Sequence, residues 1–527
     1  MMLYDQITSH DFAMIPKADI PRSKFRLRHG YKTTFDAGFL VPIYCEELVP
    51  GDQFNGKLHA IARLATPITP FMDDLTFESF FFFVPNRIVW DNWVRMMGER
   101  RSPSDSIAFS VPQITSPASG YPVNSLYDYF GLPTVGQITG GLTFSHSALP
   151  LRMYNLIYQE WFKDQNLINA PALNYGDGPD ASTDYVIRRR GKRHDYFTSC
   201  LPWTQKGDPV TLPLGTSAPI RYSTTDSPSA ELSVLNAAGN YRTLNSSTTY
   251  LSTTTNAGLV GNALYADLSA ATAATINAIR LAFQVQRLLE RDARGGTRYT
   301  ESILSHFGIR SPDMRLQRPE YIGGGSTPIV VNGVPQTSAT SGQPTPAGNL
   351  SATATMITQN GHDFRYSASE HGYIIGLANV RGENTYQQGL RRHWSRATRY
   401  EFYYPVFSHL GEQSVLNKEI YCTGNTTQDN AVFGYQERFG EMRYAPSQIT
   451  GLFRSTSAGT LDLWHLAQRF TALPTLNQTF IEENPPVDRV IAVPASTGKQ
   501  LLMDCLFEVT AVRPLPMYGV PGMIDHF

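Results

Sequence analysis

LLMDCLFEVTA, residues 501–511, sets the fold class of this chain. Leu501, Met503, Cys505, Phe507, Val509 and Ala511 fall on one side, and Asp504, Glu508 and Thr510 are among those opposite. A period of two marks a strand with one face in a core and one in water. Upstream, TFESFFFFVP (76–85) holds the unbroken apolar run Phe80 to Val84. Such a run suits a strand buried on both faces or at an interface, and Pro85 stops it. TRYEFYYPVF (398–407) is β-prone as well. Three stretches carry helical spacing instead. A short helix is expected from Arg87, with Trp90, Trp93, Met96 and Met97 in step. Another covers 148–168, with Leu151, Tyr154, Ile157, Tyr158, Trp161 and Phe162 on one face. The third runs from about Leu268 to Arg294 and separates the stripe Leu281, Val285, Leu288 from Arg280, Arg287, Arg291 and Arg294.

The chain has 527 residues, of which 41% are apolar and 17% charged. The apolar share supports a sizeable core, while the charged share falls short of the usual ~25%. So few charges on a chain this size imply surface hidden in subunit contacts. With 27 Tyr, 28 Phe, 35 Pro and 41 Gly, the balance favours β-structure with long loops. A net charge of −1 gives no global basic field. Cys45, Cys200, Cys422 and Cys505 form no C-x-x-C pair, so buried thiols in a reducing compartment are expected. The first 21 residues lack a charged start and apolar run, and no 18-residue apolar stretch occurs, so a soluble product made in a cytoplasm is expected.

Five segments stand apart. Residues 1–50, punctuated by Pro16, Pro21, Pro42 and Pro50, read as an extended arm whose cations include Lys24, Arg26, Arg28 and Lys32, interleaved with Phe25 and Tyr31. Two readings compete: a strand tracking phosphates and stacking on bases, or an edge strand whose Lys and Arg block aggregation. RRRGKR (188–193) either contacts phosphates or faces solvent. A Ser/Thr-rich insertion is placed at 213–267; 15 of the 34 residues from Ser223 to Asn256 are Ser or Thr, too polar for a core of their own. Residues 323–355, rich in Gly, Pro, Ser and Thr, read as a linker or surface loop. The tail 513–527 presents Pro514, Pro516, Met517, Tyr518, Pro521, Ile524 and Phe527, and it should dock on a neighbouring subunit.

Catalytic patterns are missing: no G-x-S-x-G, H-E-x-x-H, Walker loop or EF-hand occurs. His362–Asp363 and Asp525–His526 are weak as metal pairs. Glu482–Glu483 is more readily a turn before Asn-Pro-Pro than a glycosidase pair. No catalytic residue, metal or cofactor is assigned.

Long runs resemble one family throughout. PFMDDLTFESFFFFVPNRIVWDNW (70–93), SEHGYIIGLANVRGENTYQQGLRRHWSR (369–396), FGYQERFGEMRYAPSQITGLFR (433–454) and RPLPMYGVPGMIDHF (513–527) look like the major capsid protein of the Microviridae, small icosahedral single-stranded DNA bacteriophages, in the gokushovirus-like branch. The resemblance implies one eight-stranded antiparallel jelly roll over 1–527, with long insertions and a few helices. It implies a T=1 shell, built through pentamer intermediates in the host bacterial cytoplasm, around circular single-stranded DNA. Minor virion proteins and a host surface receptor are implied partners, the latter contacted by the insertion; no membrane insertion is expected. The arm cations would face DNA without reading sequence. A β-sandwich that binds or cleaves carbohydrate is the alternative, and it requires a cleft holding two acids.

Overall fold

The computed structural model describes residues 21–210, 220–222, 233–235, 238, 241–246, 251–255, 264–266, 276–337, 348–358, 361–493 and 498–519. Nine strands make the principal framework: β1 (Ser23–Phe35), β2 (Val41–Leu48), β3 (Gln53–Leu64), β4 (Leu75–Pro85), β5 (Glu320–Pro335), β6 (Leu350–Ile357), β7 (Asp363–Ser367), β8 (Gly372–Gly382) and β9 (Leu501–Arg513). Every pairing among them is antiparallel. The pairing nests: β1 lies on β9, β2 on β8, β3 on β7 and β4 on β5. Adding β9–β3 and β8–β4 gives two four-stranded halves, β1–β9–β3–β7 and β2–β8–β4–β5, which the β3–β6–β5 pairings and a β5–β7 bridge join along one edge into a continuous nine-stranded sheet. Nested pairing in two such halves is a jelly roll.

The strands meet through their apolar faces. β3 alternates exposed and buried along all twelve residues, and β9 buries Leu501, Met503, Cys505, Phe507, Val509 and Ala511. Rings from opposite sheets touch across the interior: Phe81 on Phe364 at 4.4 Å between centroids, and Tyr44 on Phe507 at 5.0 Å. The second sheet is covered on its other side too, as the Phe80–Val84 run requires. Helix α1 (Leu149–Ile157) packs Leu151, Met153, Tyr154 and Ile157 with Phe82, Val84, Ile375 and Leu377. It runs on into a π-turn over Tyr158–Phe162. The helix expected from Arg87 is broken into a 3-10 turn at Asn86–Ile88 and one α-turn at Trp93–Met96.

Several expectations are corrected. The proposed loop at 323–355 contains most of β5 and most of β6, and with β6 the framework has a ninth strand beyond the eight expected. Its glycines serve close packing, not looseness. A Cβ on Gly325 would lie 2.1 Å from the Gly361 carbonyl oxygen, and one on Gly323 2.2 Å from that of Asp363. Within the stretch read as an extended arm, Ser23–Phe35 and Val41–Leu48 are framework strands; residues 1–20 lie outside the described residues. The β-prone stretch 398–407 forms no strand but two 3-10 turns, Arg399–Glu401 and Pro405–His409. The Glu401 carboxylate accepts from the Thr398 N–H at 2.8 Å, and Pro405 opens the second turn, so local capping wins over β propensity. All four cysteines are free, but only Cys200 and Cys505 are buried; Cys45 and Cys422 are exposed.

Residues 205–296 form a separate compact unit. It contains an antiparallel pair, Ile220–Tyr222 with Leu264–Ala266, and a three-stranded sheet of Ser233–Leu235, Tyr241–Ser246 and Leu251–Thr255. Helix α2 (Ile276–Arg294) belongs to it as well; the expected start near Leu268 lies outside the described residues. Arg280, Arg287 and Arg291 are exposed on α2, and so are Leu281 and Leu288 of the apolar stripe.

Candidate functional site

The alternation that builds β1 also sorts its side chains. Phe25, Leu27 and Tyr31 face one way, and Leu27 and Tyr31 pack on the core between the sheets. The Tyr31 hydroxyl donates to the Pro42 and Tyr129 carbonyls at 3.1 and 3.0 Å, and burial pushes its pKa well above the ordinary value. Lys24, Arg26, Arg28 and Lys32 face the other way and are exposed. β1 is the terminal strand of its sheet, the position where charged side chains discourage edge pairing.

The neighbouring strands extend this cationic face. Lys57 and Arg63 project from β3 and Arg365 from β7, all exposed, and no feature of the sequence around them marked them. The carboxylates on the face are Asp504, Glu508 and Asp363. Seven cations against three carboxylates leave a net of about +4, on a chain whose total is −1. Two pairs bridge β1 to β9, Arg28–Glu508 at 3.6 Å and Lys32–Asp504 at 3.2 Å. All four side chains are about half exposed or more, so water and salt screen these contacts. The geometry is a solvated cationic sheet with its aromatics turned inward.

RRRGKR behaves in neither of the ways expected. Arg190, Arg193 and Arg381 converge on Glu78 of β4, Arg381 at 2.9 Å. Arg189 lies 4.0 Å over the Phe39 ring and donates to the Glu483 carbonyl, and Lys192 sits 4.6 Å over Phe480. These cations clamp the loop onto the jelly roll. The decisive partner, Glu78, lies 112 residues upstream of Arg190, beyond the reach of local pattern.

The other candidates are structural. Glu483 is 2% exposed, and burial pushes its pKa up to about 6 despite the nearby Lys192. Glu482 instead accepts from Gln478 at the end of the turn Gln478–Ile481. The two acids therefore do not face one cleft. Both ring nitrogens of His362 are occupied, by the Ser79 and Thr327 hydroxyls at 2.8 Å each. Among the described residues, no group of three or more His, Cys, Asp or Glu is arranged to hold a metal, and no helix is long and apolar enough to cross a membrane.

After Arg513, anchored by Asp52 at 3.0 Å, the chain leaves the sheet. Met517 and Tyr518 are exposed, Tyr518 at 81%, and Pro516 is exposed beside them; Pro514 is half-buried. Pro521, Ile524 and Phe527 lie outside the described residues.

A jelly roll with one cationic sheet face and with Leu515, Met517 and Tyr518 exposed beyond its last strand is an architecture that suits a structural, shell-building protein. The chain belongs to the capsid protein (F protein) family, whose model matches residues 13–523. It is 46% identical to capsid protein VP1 of Bdellovibrio phage phiMH2K over the whole of both chains. It is 40% identical to capsid protein VP1 of Chlamydia phage 1, with 98% of each chain covered. Against capsid protein VP1 of Spiroplasma virus 4 the identity is 37%, covering 98% of this chain and 97% of that one. The chain is thus a phage capsid protein, a structural component of the virion that assembles with itself.

Proposed function

We propose that this capsid protein builds a T=1 icosahedral shell around circular single-stranded DNA and turns the exposed face of β1–β9–β3–β7 toward the genome. The observation that carries the reading is the excess of seven cations over three carboxylates on one exposed sheet face. Phosphate neutralisation there needs no base contacts, which matches the inward Phe25 and Tyr31. Identical subunits close a shell through heterologous contacts around rotation axes, with pentamers as intermediates. The tail from Pro514 ties a subunit to its neighbour. The 213–267 insertion contacts the host surface, and minor virion proteins complete the particle, which assembles in the host bacterial cytoplasm.

The test replaces Lys24, Arg26, Arg28 and Lys32 together by Gln. For single strands, each phosphate contact adds about 0.7 to the slope of log affinity against log salt. Binding of the soluble variant to a random oligonucleotide should show a slope smaller by up to about 3, and its particles should carry less DNA. An unchanged slope together with unchanged DNA content would remove this face from the account.

A further inference from the structure

The residues from Ala397 to Val406 are exposed without a break, and they sit in a wider stretch rich in large apolar side chains. Trp394 is 73% exposed and Val406 76%, and Tyr400, Phe402, Tyr403 and Leu410 also stand in water. This is not a slack loop. The Glu401 carboxylate caps its first turn, Arg438 donates to the Tyr400 carbonyl at 3.3 Å, and Ser408 closes the second turn on the Pro405 carbonyl at 2.7 Å. Arg392–Glu419 at 2.9 Å and Arg396–Glu441 at 2.7 Å fasten it beside the antiparallel pair Glu412–Leu416 and Val432–Glu437. The backbone is fixed while the apolar side chains face outward.

Area and charge together choose the occupant. An aromatic side chain buries 150–250 Å² when fully covered, so six large side chains at about half exposure offer roughly 600 Å². That reaches the top of the ~300–600 Å² range for the largest patch on a monomer, and it approaches the ~800 Å² each partner contributes to a stable interface. Arginines interleaved with aromatics also suit single-stranded DNA. Here, however, Arg392, Arg396 and Arg443 are matched by Glu419, Glu441 and Glu437, and Arg391, Arg399 and Arg438 stand with Glu401 and Glu412, so six cations against five carboxylates leave about +1, well short of the +4 on the β1–β9–β3–β7 sheet. The surface is apolar and close to neutral, which favours protein over a polyanion.

We infer that the Trp394–Leu410 face is a subunit interface, covered in the shell by a second copy of this chain in a heterologous contact. The inference rests on the shell-building reading and gives it a location.

The experiment uses the full chain, expressed under conditions in which the unsubstituted protein forms particles, with viral partners where these are needed. Tyr400→Asp and Val406→Asp are combined, because both side chains are in water and neither supports the core. Expected are an unchanged melting temperature and a tenfold or greater loss of particles on a sucrose gradient and by electron microscopy, with smaller soluble species in their place. The paired variant Tyr400→Phe and Val406→Leu keeps the apolar area and should assemble normally. Normal particle yield from the aspartate variant would overturn the inference and leave the shell reading standing. Normal yield with reduced DNA content would also overturn it and assign the face to nucleic acid. A loss of particles in the conservative variant would count against it as well. Absence of particles from the unsubstituted chain would defeat the shell reading itself, and this inference with it.

Discussion

Arg152 on α1 donates twice to Asp180, at 2.7 and 2.6 Å, and Tyr185 donates to the same carboxylate at 2.5 Å. Both charged side chains are almost wholly buried. Burial alone would raise the Asp180 pKa, but the bonds from Arg152 and Tyr185 outweigh it and hold the carboxyl below its usual range. Removing one partner strands a buried charge, so Asp180→Asn should cost about 3–5 kcal/mol in a denaturant titration at neutral pH. Because the folded pKa is depressed, the Asp180 contribution is present above about pH 4 and lost as pH falls. His362 titrates in a higher window. Burial lowers its pKa, so the folded protein binds fewer protons there than the unfolded chain. That contribution is present above about pH 6.5 and lost on acidification. His362→Gln should therefore flatten the fall in melting temperature between pH 7.5 and 5.5 relative to the unsubstituted chain. Comparing two chains cancels Glu483, whose raised pKa works in the opposite sense.

At the scale of elements, the fold depends on where backbones approach closely. β5 passes between β4 and β7 with glycine at 323–325, and a Cβ on Gly325 would collide with the Gly361 carbonyl. Gly325→Ala should cost about 1–3 kcal/mol by overpacking. Gly140→Ala is the control; its added Cβ meets nothing within 4 Å, and the denaturation midpoint should hardly move. The same comparison explains what the sequence could reveal. The alternation of 501–511, the doubly buried run at Phe80–Val84 and the helix around 149–157 were legible because each pattern repeats a local period. β5 and β6 were not, since Gly and Thr read as loop until the facing strand supplies the reason for having no Cβ. Residues 398–407 failed the other way, as aromatics without a partner strand settle into capped turns. RRRGKR was opaque for want of Glu78.

For the whole molecule, the β1–β9–β3–β7 sheet faces solvent with a net of about +4, while both faces of the β2–β8–β4–β5 sheet carry buried side chains. Lys24, Arg26, Arg28 and Lys32 were legible as a cationic group, whereas Lys57, Arg63 and Arg365 join them only through strand register. That asymmetry is what the proposed genome-facing role of the sheet rests on. The proposed role of the tail rests on the exposed apolar side chains Met517 and Tyr518. Truncation after Arg513 should leave the melting temperature of the soluble protein within a few degrees, since Met517 and Tyr518 are exposed, yet lower particle yield on a gradient. The most direct measurement of the central claim is single-particle cryo-electron microscopy of purified particles. The account predicts a closed icosahedral shell with one subunit per asymmetric unit and with Lys24, Arg26, Arg28 and Lys32 lining its interior against nucleic acid. A shell with those side chains on its outer surface, or no closed shell, would contradict it.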